Sequence, residues 1–532
     1  MSHRNVSEIS WSGWGDPEHK TALSPELLSL VQGALQIKHP GKTAPALEAL
    51  TLSPSALPDA GLESLRSAVG NEHVLLDDEA RIRHLRGKST PDLLKLRSGD
   101  TTDSPDAVVV PGSNDEVAAV LAVCAEQRVA VVPFGGGTSV VGGLTPERGA
   151  FAGVIALDLT RLDQLVSLDT VSRTATLEPG LRGPEAEALL AAQGYTLGHF
   201  PQSFEYATIG GFAAARSSGQ ASAGYGRFDE RVVGLRIATP SGTVSLATAP
   251  KSAAGPDLRQ LFLGSEGAFG VITAVTVEVS PTPAVKLYEG WRFPSFDEGQ
   301  AALRTLIQDG PVPTVLRLSD EMESALNLAR PDSIGGEGAT GGCLSIVGYE
   351  GTAENVDARQ AAASEVLRAL GGVPEPEAGP AWEAGRYSAP YLRDALLDAG
   401  ALVETLETTT FWSGIPALYE AVREALVEAL GAQGTPPLVL CHVSHVYRSG
   451  ASLYFTVACA QSDNPLAQWQ KAKTAANDAI LAAGGSITHH HGIGVDHKAW
   501  YEQQIGEVGI AALRAVKREL DPGGIMNPGV LL

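Results

Sequence analysis

The sequence predicts an α+β fold spread over two or three domains. Short apolar β-runs alternate with amphipathic helical stretches from about residue 104 onward, the mark of a mixed layered architecture. Glycine-rich turns punctuate those runs where a backbone must approach a ligand closely. A chain of 532 residues is also too long for one ordinary hydrophobic core.

The elements follow in order. Residues 1–103 read as a helical N-terminal region, with helices over 25–35 and 61–68 broken by Pro and Gly. Its end, from Arg86 to Leu94, reads as a loop entering a short helix, with Pro91 in the first turn, where its missing N–H is not needed. The next region, 104–283, opens with a strand over 107–110 stopped by Pro111 and Gly112. Ser113 and Glu116 have capping-box spacing for a helix to about Gln127. Strands over 130–132, 154–159 and 174–177, a helix over 184–193 and a β-rich run over 271–279 complete an α/β or α+β unit. From 284 to 480 the alternation resumes, with strands over 287–291, 343–349 and 452–458 and helices over 353–369, 416–430 and 465–483. The Gly-, Pro- and Glu-rich stretch 371–380 reads as a loop. The segment 481–532 holds a histidine run and a last helix over about 510–519. No repeat of fixed period is present.

Bulk composition narrows the function. A formal net charge of −22 repels polyanions, so nucleic acid is not an expected partner. The four cysteines, Cys124, Cys343, Cys441 and Cys459, form no C-x-x-C pair, and most lie in apolar runs. They read as reduced thiols of a cytoplasmic protein. No secretory signal and no apolar run of membrane-spanning length is present. No amphipathic basic helix is evident either, which argues against a simple electrostatic anchor and leaves peripheral membrane contact open.

Two clusters carry chemistry. In Pro133, Phe134, Gly135, Gly136, Gly137, Thr138 and Ser139, three glycines follow a strand, and their N–H groups can form a nest for a diphosphate. The spacing is neither G-x-G-x-x-G nor a P-loop. Further small and polar groups follow: Gln202, Ser203, Thr208, Gly210 and Gly211, then Arg216 and Ser218, and then Glu266, Gly270, Val271 and Ile272 around a second glycine loop. The second cluster is Thr488, His489, His490, His491, Gly492, Ile493 and Gly494. Three adjacent imidazoles can donate or accept protons near neutrality.

The order and spacing of the glycine loops over about 104–282 resemble the FAD-binding domain of the vanillyl-alcohol oxidase and p-cresol methylhydroxylase superfamily. That resemblance implies a PCMH-type FAD domain of two α+β subdomains, followed by a C-terminal α+β substrate (cap) domain over 284–480 and a last segment returning to the FAD site. Members with covalent flavin commonly carry a His near the first loop. Residues 132–143 hold none, so FAD is expected to bind non-covalently.

The whole chain resembles the alkyldihydroxyacetonephosphate synthase family, through Trp11-Ser12-Gly13-Trp14-Gly15, the histidine run with its Gly-x-Gly, and Tyr454 in Leu453-Tyr454-Phe455. The resemblance implies that flavin N5 adds to an acyl-dihydroxyacetonephosphate, a carboxylate leaves and a fatty alcohol replaces it. Carried over residue by residue, Tyr454, His489, His490, His491 and Arg317 are catalytic, and Arg393, His199 and Thr409 bind substrate. An acidic chain that takes a phosphate- or carboxylate-bearing small molecule needs such fixed cations, and Arg offers a planar fork. A homodimer is implied as well. The rival is oxidation of a 2-hydroxy acid or alcohol by related FAD-dependent dehydrogenases. Those carry a metal-binding strand with two His and a later Glu. Here His445 takes the first position, Tyr454 replaces the second and His490 replaces the Glu, so no metal is expected. Phe200-Pro201-Gln202 after His199 departs from the acidic residues of the eukaryotic enzymes, and the C-terminus is not a peroxisomal address.

Overall fold

A computed structural model describes residues 8–20, 22–246, 249–326 and 341–532. The first seven residues, part of the N-terminal stretch read above, lie outside it.

Three sheets organise the chain. The first has four strands, in the order Val74–Leu75, Ala107–Val109, Gly153–Asp158, Val129–Phe134. Its last three strands are mutually parallel, and Val74–Leu75 joins antiparallel from the N-terminal region. The helix Asn114–Gln127 crosses between its strands, capped as its sequence predicts by Ser113 Oγ, which accepts from Glu116 N–H. The second sheet has five antiparallel strands, Leu165–Asp169, Thr174–Leu177, Val271–Glu278, Val232–Thr239 and Gly242–Leu246. Two apolar clusters form, one chiefly on each sheet, and Ala238 and Val271 of the second sheet pack into the cluster of the first.

The third sheet is antiparallel and seven-stranded, in the order Val373–Pro374, Val285–Phe293, Cys343–Gly351, Val315–Ser319, Leu438–Val446, Gly450–Ala460, Ala401–Phe411. One face is covered by helices including Phe296–Gln308, Ala353–Ala369, Ile415–Gly431 and Pro465–Ala482, which with the sheet bury a core around Trp291, Phe293, Phe455 and Trp469. Each fully buried aliphatic or aromatic side chain there contributes roughly 1.5–3 kcal/mol. The opposite face of its central strands turns toward the first two sheets and their glycine-rich loops. The stretch read as a loop over 371–380 instead gives the strand Val373–Pro374 and the start of the helix Ala378–Gly385, because its strand pairs with the sheet edge.

The chain end returns to the first sheet. Val131 N–H donates to Ile525 O, and Asn527 N–H donates to Val131 O. The last helix, Lys498–Leu520, starts well before residue 510 and is interrupted at Gly506, whose φ of 72° lies outside the helical region. Among the described residues no helix is long and apolar enough to cross a membrane.

Candidate active site

A cavity of about 520 Å³ lies between the glycine loops and the free face of the seven-stranded sheet. Its geometry follows from strand register. Cross-strand pairing aligns Ser319 with His442, His442 with Tyr454, and Tyr454 with Glu407, so one row of polar side chains crosses four strands on one face. Two residues along each strand, the row is Leu440, Thr456 and Thr405, and two further it is Leu438, Ala458 and Val403. All six line the cavity. The wall therefore grades from ionisable to apolar. Over the apolar end lies the helix Pro25–Leu35, started by Ser24 as cap and Pro25 at its first position, contributing Leu27, Leu30, Val31, Ala34 and Leu35.

The opposite wall is the glycine-loop wall. The run from Pro133 to Ser139 lines it without a gap. Gly136 sits so close to the neighbouring chain that a Cβ there would lie 2.0 Å from Tyr206 O. Gln202, Ser203, Thr208, Gly210, Gly211, Ser218, Glu266, Gly270 and Ile272 also reach the cavity. The fit to a flavin dinucleotide rests on two features. The Pro133–Ser139 backbone faces the space, and the buried Gln202 Nε2 has no hydrogen-bond partner among the described residues.

The histidine run is held by two carboxylates from different domains. Glu407, buried on strand 401–411, accepts the N–H of His489 on Oε2 (2.7 Å) and those of His490 (3.1 Å) and His491 (2.9 Å) on Oε1, with the Thr488 hydroxyl. Burial would raise its pKa. The nearby His490 and His491 rings and these hydrogen bonds outweigh burial and hold it down to about 2. Glu266, from the second glycine loop, accepts Ile493 N–H (2.8 Å) and Gly494 N–H (2.9 Å), both on Oε2. Burial pushes it up to about 7 despite those donors. Clamped this way, His490 and His491 line the cavity beside Tyr454, with ring centroids 6.2 and 5.5 Å from it. Burial lowers both imidazoles, His491 to about 3, so they are neutral acceptors at pH 7. Burial also raises the Tyr454 phenol to about 12, which keeps it a proton donor.

Arg317 and Arg393 both line the cavity. Arg317 Nη2 bonds Glu323, and Arg393 Nη1 donates to Lys88 O at 2.6 Å, which fixes each fork. Five residues named from the sequence stand off the wall. Arg216 spends its donors on Leu263 O, Asp229 and Gln260 O, so it braces the loop and does not face the cavity. Val271 points the other way from its neighbours Gly270 and Ile272, as strand alternation requires, and packs in the first-sheet core. His199 is buried beneath Ser217, its Nε2 3.0 Å from that hydroxyl and its ring against Phe212 and Phe228. Thr409 donates its hydroxyl to Ala451 O within the sheet. His489 lies behind His490, with its Nδ1 3.0 Å from His490 Nδ1 and its Nε2 2.6 Å from the Tyr447 hydroxyl. His445, His489 and His490 each bring one ring nitrogen within 4.8 Å of the others.

The sequence reading missed His442, Glu323 and Glu407. A signal existed for two of them: His442 interrupts the apolar strand run Leu438–Val446, and Glu407 interrupts Ala401–Phe411.

Comparison with known proteins agrees with this architecture. The FAD binding domain family matches residues 105–247, and the family of FAD linked oxidases, C-terminal domain, matches residues 282–531. Fold and matches together define an FAD-dependent enzyme of the FAD-linked oxidase class. The alkyldihydroxyacetonephosphate synthase of Trypanosoma brucei brucei is 33% identical, covering 99% of this chain and 92% of the relative. That of Dictyostelium discoideum is 31% identical, covering 99% and 93%. A solved alkyldihydroxyacetonephosphate synthase superposes with a TM-score of 0.83 at 29% identity, covering 98% of both chains. The chain belongs to the alkyldihydroxyacetonephosphate synthase-like family of FAD-linked oxidases, with the PCMH-type fold. Relatives of lower identity carry oxidoreductase names.

Proposed function

We propose that this enzyme exchanges the acyl carboxylate of an acyl-dihydroxyacetonephosphate for a fatty alcohol, forming an ether bond. The observation that carries the reading is the apolar arm of the cavity. It runs from the Tyr454 row to Leu438, Ala458 and Val403 under the helix Pro25–Leu35, a surface suited to a hydrocarbon chain. A small 2-hydroxy acid needs no such arm, which is why oxidation of one is the second reading.

FAD, when bound at the glycine-loop wall, supplies an electrophilic ring against which the substrate carbon reacts. Arg317 and Arg393 hold the substrate phosphate through the N–H groups left over from their bonds to Glu323, to Lys88 O and to Asp394 Oδ1. The Tyr454 hydroxyl manages the proton on the substrate carbon, and neutral His490 and His491 pass protons to the departing carboxylate. Closure by the apolar helix excludes water, which would otherwise take the place of the alcohol. We further propose that FAD is held without a covalent bond. The imidazole packed on the first loop, His84 against Phe134, has both nitrogens occupied, by Ala80 O at 2.7 Å and Asp158 at 3.0 Å.

The test is product analysis. FAD-loaded enzyme given a long-chain acyl-dihydroxyacetonephosphate and hexadecanol is expected to release fatty acid and form the alkyl product in equal amounts. Tyr454→Phe is expected to keep FAD and lose this turnover. Fatty-acid release without alkyl product would overturn the reading.

A further inference from the structure

On the wall beside Arg317 and Tyr454 lie two buried side chains given no part in proton transfer so far, His442 and Glu323. Strand pairing sets His442 directly beside Tyr454, and their rings stack at 4.9 Å with 19° between planes. His442 Nδ1 lies 2.9 Å from Glu323 Oε2 and 3.1 Å from Arg317 Nη2. A carboxylate only accepts and a guanidinium only donates. Nδ1 can donate to Glu323 or accept from Arg317, but not both; the shorter contact to Glu323, and the bond Arg317 Nη2 already makes to Glu323 Oε1 beside the Ser319 hydroxyl at 2.9 Å, favour the proton on Nδ1, given to Glu323. That leaves Nε2 with a free lone pair. It has no hydrogen-bond partner among the described residues, on a residue that lines the cavity. An imidazole oriented by a buried carboxylate, with its second nitrogen facing a substrate space, is the arrangement of a general base.

We propose that His442 is a further catalytic residue whose Nε2 takes the hydroxyl proton of the alcohol entering the cavity, with Glu323 and Arg317 as the positioning pair that fixes its tautomer. The proposal rests on the reading that the cavity receives an alcohol. In the step, the alcohol O–H bond breaks, its electron pair stays on oxygen for the new C–O bond, and the proton moves to Nε2. The imidazolium lies against the Glu323 carboxylate, and its proton passes by way of Tyr454 back to the substrate carbon, replacing the one that left with the carboxylate as the free fatty acid. The charged and titratable groups facing His442 are Arg317, Glu323, Tyr454, His445 and His490. Burial and Arg317 lower its proton affinity while Glu323 opposes them, so the neutral, active form persists below the ordinary imidazole range.

The experiment uses the full chain loaded with FAD, a long-chain acyl-dihydroxyacetonephosphate and hexadecanol. His442→Gln is expected to lower kcat by about 10²- to 10⁴-fold with the KM for alcohol little changed. Glu323→Gln is expected to give a smaller loss and to move the acid limb of the pH profile to lower pH. If both variants keep wild-type kcat per bound flavin and the wild-type limb, losing only thermal stability, His442 is structural and the proposal falls. A second readout does not depend on turnover. In protein labelled with ¹⁵N-histidine, the His442 signal, identified by its loss in His442→Gln, is expected to show the Nδ1–H tautomer. An Nε2–H tautomer would overturn the proposal. A wild type that forms no ether product would sink the exchange reading, while the tautomer would still judge His442.

Discussion

Glu407 and Glu266 make opposite predictions for the same substitution. At Glu407 the donors are divided between both oxygens: His490, His491 and Thr488 use Oε1, and His489 uses Oε2. A glutamine keeps its carbonyl on the crowded side and turns an NH₂ toward the His489 N–H, so donor meets donor. Losing one charge-assisted bond and leaving a buried N–H unpaired costs about 2–4 kcal/mol. For 532 residues unfolding together, that is about 2–4 °C in Tm. At Glu266 both amides share Oε2, so a glutamine carbonyl serves both at little cost. The pH dependence separates the two further. Glu407 has a folded pKa depressed to about 2 from 4.5, so its contribution is full above 4.5 and lost as pH falls through about 2. Glu266 is raised from 4.5 to about 7, so its contribution is full below 4.5 and lost as pH rises through 7. Thermal unfolding of the FAD-loaded variants at pH 8 is therefore expected to show Glu407→Gln destabilised and Glu266→Gln unchanged or stabilised. Equal shifts in the two variants would refute the clamp.

Other outcomes follow from the same geometry. Gly136→Ala places its Cβ against the Tyr206 carbonyl and is expected to yield protein that retains little FAD, measured by flavin absorbance after gel filtration. Acid precipitation of the wild type is expected to leave all flavin in the supernatant; colour in the pellet would contradict non-covalent binding. Ala458→Phe fills the apolar arm and is expected to raise the KM for hexadecanol at least about tenfold, the order of a few lost methylene contacts, while sparing butanol.

Much of the fold was legible where local signals and tertiary context agree. The helices Pro25–Leu35 and Ala353–Ala369 sit where the sequence placed them, because Ser24 with Pro25, and Thr352, cap them. The strand Thr174–Leu177 follows from its alternation. Other elements were hidden by chemistry that only the folded chain explains. Ala401–Phe411 carries Glu404 and Glu407 inside an apolar run, and a buried carboxylate reads as a break until the amides it accepts are in view. The histidine run and the family resemblance brought Tyr454, His490, His491, Arg317 and Arg393 forward as site candidates, yet could not tell depth. His199 and His489 sit one layer behind the wall, held by Ser217 and Tyr447. Arg216 has the residue type of an anion binder, but its donors are consumed by its own loop.

The central claim is that a flavin at the glycine-loop wall works on a lipid-like substrate reaching into the apolar arm. The most direct measurement is the anaerobic visible spectrum of the FAD-loaded enzyme mixed with a long-chain acyl-dihydroxyacetonephosphate or, separately, with a D-2-hydroxy acid. The account predicts a prompt spectral change with the first, fully reversed when hexadecanol is added, and no bleaching by the second. Full bleaching by the hydroxy acid, with no response to the acyl substrate, would contradict it.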